Sequence, residues 1–197
     1  MTSLYLVRHG ETEWSRDGRH TSYTDLPLTE HGQEQARSLC GHLDPARFGL
    51  VLSSPRRRAR ETAELAGFVG RYTPQVDEDL AEWNYGDYEG LTRREIQEQE
   101  PGWLIWTHAA RGGESADDIR RRLRRLIDRV ESSGADPVIC FAHGHSLRAL
   151  MTVWLGLDLG FGANVQLDTA TVSVLVDDDA GRSISCWNAP IAGARID

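Results

Sequence analysis

Three times along the chain a short apolar run stops abruptly at polar residues. Leu4-Tyr5-Leu6-Val7 breaks into Arg8-His9-Gly10-Glu11, Leu50-Val51-Leu52 into Ser53-Ser54-Pro55, and Val138-Ile139-Cys140-Phe141-Ala142 into His143-Gly144-His145. Runs this short, apolar at consecutive positions, predict strands buried on both faces. Helical patterns follow them. Thr29 opens one over Glu30 to Leu43, a second covers Arg58 to Leu65, Thr92 and Glu95 form a capping box, and Ser115 with Asp118 starts another. In that last helix Ile119, Leu123, Leu126, Ile127 and Val130 share a face, and Arg120, Arg121, Arg122, Arg124 and Arg125 are expected mostly on a solvated one. Strand ends that feed helices predict an α/β sheet with its site at the carboxyl ends of the strands.

Towards the end, Thr171 to Val176 and Ser183 to Trp187, separated by Asp177-Asp178-Asp179-Ala180-Gly181, predict a hairpin at the sheet edge. The least regular stretch is Leu80 to Gly113. It carries Trp83, Tyr85, Tyr88, Trp103 and Trp106 and is expected to wall or cover the site, with Trp103 and Trp106, at helical spacing, as core residues.

A length of 197 residues without a linker predicts one domain, 1–197. The net charge of −8 argues against nonspecific nucleic-acid binding, which needs a basic face. All 22 basic residues are arginine, so lysine chemistry is excluded. Cys40, Cys140 and Cys186 are too few and scattered for a disulfide framework, and no apolar run approaches the roughly 20 residues of a membrane span. Without a signal peptide, the expectation is a cytoplasmic enzyme.

Arg8 and His9 occupy a strand end where long apolar side chains would otherwise be expected. A guanidinium offers a planar fork of donors matched to phosphate oxygens, and a neutral imidazole beside it can attack phosphorus. Arg56, Arg57 and Arg58 crowd a helix start, where positive charge opposes the helix dipole and calls for an anion. Composition does not choose among the three. His143-Gly144-His145 has the His-x-His spacing of a metal site, but arginines at the other strand ends disfavour a divalent cation and favour a phosphate dianion. No metal or cofactor is expected. Glu82, among aromatics in Leu80-Ala81-Glu82-Trp83-Asn84-Tyr85-Gly86, is the candidate proton donor for a leaving alcohol.

Taken in order, LVRHGETEW, TDLPLTEHGQEQA, SSPRRRARETA, LAEWNYGDYEGL, GGES and FAHGHSLRAL, from residue 4 to about residue 150, resemble the histidine phosphatase superfamily, also called phosphoglycerate mutase-like. The resemblance implies an α/β fold with a mostly parallel central sheet flanked by helices on both faces. It also implies His9 as nucleophile, Arg8, Arg58 and His143 around the phosphoryl group, and Glu82 as proton donor. Arg58 is selected because it precedes Ala59 as the family arginine precedes its alanine in R-A-x-x-T-A.

Within the superfamily the AEWNYGDYEGL and HGH segments look most like actinobacterial acid phosphatases and fungal sedoheptulose bisphosphatases. Ser15 stands where the mutases carry an asparagine, and the segment between Glu82 and Gly113 is shorter than theirs and lacks a lysine. A phosphomonoester hydrolase acting through a phosphohistidine is therefore expected ahead of a phosphoglycerate mutase. A phosphoprotein phosphatase and a non-catalytic phospholigand-binding module rank lower. The expected substrate contacts are Ser15, His20, Thr21, Ser22, Tyr85, Gly144, His145 and Arg148. The expected partner is a small-molecule phosphate monoester, with no nucleic acid and no membrane; a homodimer is left open.

Overall fold

The computed structural model describes residues 2–190. Six strands form one sheet in the order β3-β2-β4-β1-β5-β6: β1 Thr2–Arg8, β2 Leu50–Ser53, β3 Gln75–Val76, β4 Val138–Ala142, β5 Val172–Asp178 and β6 Gly181–Ala189. β4 runs parallel to both β1 and β2, and β2 to β3, while β5 is antiparallel to β1 and β6. The three apolar runs of the sequence are therefore neighbours at the centre of the sheet. The predicted hairpin is β5–β6, at the edge.

Consecutive apolar positions are explained by covering on both faces. Leu4, Leu6, Leu52, Val138, Cys140 and Ala142 face α5 (Ala116–Ser133) and α6 (Gly144–Trp154), packing with Leu123, Leu126, Leu147 and Leu150. Tyr5, Val7, Val51, Ile139 and Phe141 face the other way, onto Leu39, Ala59, Ala63 and Phe68 around α2 (Glu30–Ser38) and α3 (Arg57–Leu65). Two short helices, α1 (Glu13–Arg16) and α4 (Arg93–Gln99), belong to the surrounding loops. No helix among the described residues is long and apolar enough to cross a membrane.

Contact between α2 and the loop after β1 is main chain on main chain. A Cβ at Gly10 would lie 2.3 Å from the Gly32 carbonyl oxygen, and one at Gly32 would lie 2.1 Å from that of Glu11. Only glycine fits at both positions. Thr29 caps α2 through the Gly32 N–H and also donates to the Glu11 carboxylate, at 2.8 Å.

Three details depart from the sequence expectations. α2 ends at Ser38 rather than Leu43, because the Leu39 and Cys40 N–H groups turn back to the carbonyls of Ala36 and Arg37, three residues earlier. That tightening leads into Gly41 at φ +85°, which no helix continues. Arg122 is not on a solvated face: it is 8% exposed, with Nε and Nη2 on the Glu114 carboxylate at 2.6 and 2.9 Å and Nη1 on the Asp79 carbonyl at 2.7 Å. Trp103 and Trp106 are core residues as expected, but turns carry them, not a helix.

Candidate active site

The ladder continues past the ends of the central strands, with the His9 N–H on the Ala142 carbonyl at 3.0 Å and the Ser54 N–H on that of Phe141 at 2.9 Å. This sets His9, Ser54 and His143 side by side at the carboxyl edge. The His9 Nδ1 lies 2.7 Å from the Gly10 carbonyl. A carbonyl only accepts, so Nδ1 carries the proton and Nε2 holds a free lone pair. Burial, reinforced by Arg58 and Arg8, pushes the His9 pKa well below its ordinary value, so the ring is neutral at physiological pH. α3 anchors the loop: the Gly10 N–H donates to the Thr62 hydroxyl at 2.9 Å, and that hydroxyl donates to the Arg58 carbonyl at 2.7 Å.

His9 opens into a cavity of about 160 Å³ that it shares with Arg8 and Glu82. Arg8 donates through Nη1 to the Leu167 carbonyl, while its Nε is buried with no partner among the described residues. A Cβ at Gly144 would come 3.3 Å from that Nε, so the glycine makes room for the guanidinium. Glu82 is 8% exposed. Its Oε1 accepts the N–H groups of Trp83 and Ser146 at 2.8 Å each, and its Oε2 that of His145 at 3.1 Å. The start of α6 thus holds the carboxyl group.

Arg58 and His143 stand directly behind the cavity and do not line it; both are fully buried. Arg58 donates from Nε to the His143 Nδ1 at 3.2 Å, and from Nη1 and Nη2 to the carbonyls of Thr24 and Thr21 at 3.1 and 3.0 Å. With Nδ1 accepting, the neutral His143 carries its proton on Nε2, which donates to the Ser54 hydroxyl at 2.7 Å. The His9 and His143 ring centroids are 5.2 Å apart.

Of the expected substrate contacts, Ser15, His20, Thr21, Tyr85, Gly144, His145 and Arg148 line the cavity. The Ser15 hydroxyl is committed to a reciprocal cap with Thr12, and that of Thr21 donates to the Arg19 carbonyl at 3.1 Å. Ser22 is buried away from the cavity and donates its hydroxyl to Glu89 at 2.6 Å. Hydrogen bonds from Ser22 and Thr24 lower the Glu89 pKa although burial opposes them.

The far wall is built of rings. His20 and His145 stack at 5.7 Å with 11° between their planes, Tyr85 and Trp103 meet His20 edge-on at 4.7 and 5.3 Å, and Trp106 lies 5.4 Å from His145. Arg148 sits over the Trp106 ring at 4.9 Å, its Nε on the Gly144 carbonyl and Nη1 on that of Val165.

Sequence reasoning missed Thr12, Gly18 and Arg19 in the lining, Ser54 as partner of His143, and Thr62 as anchor. Ser54 and Thr62 lie inside SSPRRRARETA, but nothing local shows which backbone or ring they meet. No group of three or more His, Cys, Asp or Glu among the described residues could hold a metal ion. What the arrangement offers is a bare imidazole nitrogen, an arginine with an unused donor and a carboxyl group in one small cavity, which suits attack on a phosphate ester.

Residues 4–190 match the family model of the histidine phosphatase superfamily (branch 1). Among curated proteins the chain is 42% identical to an acid phosphatase of Mycobacterium tuberculosis, over 87% of this chain and 84% of that one. It is 39% identical to the sedoheptulose 1,7-bisphosphatase of Saccharomyces cerevisiae, over 77% and 67%. A solved structure of mycobacterial glucosyl-3-phosphoglycerate phosphatase complexed with VO3 superposes with a TM-score of 0.82 at 31% identity, covering 95% of this chain and 98% of that one.

Proposed function

The chain belongs to the histidine phosphatase superfamily and is a phosphatase, and from that premise we propose that it releases inorganic phosphate from small-molecule monoesters through a phosphohistidine on His9. The observation that carries the assignment is the bare His9 Nε2 in one cavity with Arg8 and Glu82. Nε2 bonds to phosphorus in line as the bond to the alcohol oxygen breaks, and Glu82 gives that oxygen its proton. In the second half Glu82 takes a proton from water, the water oxygen bonds to phosphorus, and the imidazole leaves. One proton is given and one recovered. Arg8 supplies fixed donors to oxygens whose charge is redistributed in the transition state, with Arg58 and His143 behind holding His9 neutral and in place.

The expectation of one domain over 1–197 fits this reading, since a single sheet contributes the ends of β1, β2 and β4 to the site. A cytoplasmic setting is supported by three free cysteines. The test is rapid quenching with a phosphorus-labelled ester. An acid-labile phosphoprotein that forms and decays at the turnover rate, and is absent from His9→Ala, is expected. Label on another residue, or steady turnover by His9→Ala, would overturn the assignment. Release of inorganic phosphate, not of a positional isomer, separates hydrolysis from the mutase reaction.

A further inference from the structure

The far wall carries a chemical polarity of its own. The His20 Nδ1 lies 2.9 Å from the Leu91 carbonyl. That carbonyl accepts, so Nδ1 holds the proton, and burial keeps the ring neutral by lowering its pKa. The His20 Nε2 is therefore an acceptor. His145 is set the opposite way. Its Nδ1 lies 2.7 Å from the Tyr85 hydroxyl, whose proton has no other partner among the described residues, and burial holds that phenol protonated. Tyr85 donates to Nδ1, so the neutral His145 carries its proton on Nε2 and offers it as a donor.

Neither Nε2 makes a hydrogen bond among the described residues, neither is among the fully buried atoms without a partner, and both rings line the cavity that holds His9. One acceptor and one donor, on rings stacked at 5.7 Å, stand side by side. A hydroxyl group satisfies both at once, accepting from His145 and donating to His20. A carboxylate, or a second phosphate as its dianion, has no proton for His20. An alkyl chain leaves both nitrogens without partners, which is costly once water is excluded.

Resting on the phosphatase reading above, we propose that His20 and His145 form a hydroxyl-reading pair, its polarity set by Tyr85, that selects phosphate esters of polyhydroxylated alcohols. Trp103 and Trp106 hold the two rings from outside, so the pair is presented rigidly.

The test compares kcat/KM for polyol phosphates of three to six carbons with n-alkyl phosphates of the same lengths, followed by mono-O-methyl derivatives of the best polyol ester. An O-methyl group keeps the acceptor but removes the proton that His20 needs. The parent enzyme is expected to prefer a polyol ester by at least about tenfold and to lose about fivefold or more on O-methylation at one position, the scale of a site left with unpaired polar groups. Tyr85→Phe keeps the ring and its packing but releases the His145 tautomer, and should cut the polyol-to-alkyl ratio by about fivefold or more. A smaller parent preference, indifference to O-methylation at every position, or a ratio that survives in Tyr85→Phe overturns the pair. Failure to release phosphate from either class overturns the phosphatase reading and the pair together, whereas equal release from both overturns the pair alone.

Discussion

The two ends of the cavity are held by different forces. At the chemical end, His9 and Glu82 are fixed by main-chain partners: the Gly10 carbonyl and the N–H groups of Trp83, His145 and Ser146. At the far end main-chain carbonyls hold His20 and Trp103 as well, at Leu91 and Ala109, but His20, His145, Trp103 and Trp106 also pack ring against ring, which the chemical end lacks on this scale. Main-chain hydrogen bonds at strand ends and a helix start set atom positions whatever the neighbouring side chains are, which suits a reaction that must not vary. Ring packing depends on the side chains themselves, which suits a surface that sets selectivity.

Replacing Glu82 with glutamine tests the first half of that contrast most severely. Hydrolysis of an alkyl phosphate should fall by about 10² to 10⁴ fold, as expected for lost general acid catalysis. A nitrophenyl ester, whose phenolate leaves unaided, should still phosphorylate His9 and show a burst of nitrophenol, followed by slow breakdown of the phosphoenzyme. Equal slowing of both esters with no phosphoenzyme would make Glu82 a binding residue.

At the far end the loss should be in folding. Trp103 is 1% exposed and packs edge-on against His20 and Tyr88. Trp103→Ala should cost about 3 to 5 kcal/mol of stability in urea unfolding, the range for truncating a buried aromatic. A change below about 1 kcal/mol would mean the ring wall is not a packed unit.

Arg58 lies between these extremes, being both sealed in the interior and beside His9. Arg58→Ala should raise the barrier by about 1.4 kcal/mol, a factor of about ten, through the loosened His143 and His9, and should also lower stability, since the carbonyls of Thr21 and Thr24 lose their donor. Arg57 is mostly exposed in an ion pair with Glu61, so Arg57→Ala should stay within about 0.5 kcal/mol on either measure. Equal losses would reduce the arginine run to diffuse electrostatics.

One effect belongs to both ends together. His9, His20, His143 and His145 all have pKa values lowered, chiefly by burial. Below about pH 6.5 the unfolded chain takes up protons that these rings refuse, so the stability present above that pH is lost as pH falls toward the lowered native values. Melting temperature should decline steadily from pH 7 to pH 5. A flat profile would mean that the rings protonate without cost.

The chemical end was legible in the sequence because a strand end leaves a local mark: Leu4 to Val7 must be apolar, and a polar residue straight after it needs another reason. The far wall left a weaker mark. His20 and Tyr85 are 65 positions apart in the chain, and only the fold makes them neighbours. Arg122 was misplaced although a signal existed. It falls three after Ile119 and four before Leu126, inside the apolar stripe of α5, where a charge must find a buried partner. Its partner, Glu114, lies within the GGES segment, and no local rule pairs the two. The same holds for Ser22 and Glu89.

The contact between Gly10 and Gly32 has a consequence for motion. Two main chains that touch with no side chain between them have no soft spacer to absorb relative displacement, so thermal fluctuation of α2 reaches the residue beside the nucleophile undamped. Amide exchange at residues 10–12 and 30–35 should then rise and fall as one cooperative block, opening with a shared free energy. Helix α2, which contributes no residue to the cavity lining, is thereby part of the clockwork that keeps His9 still.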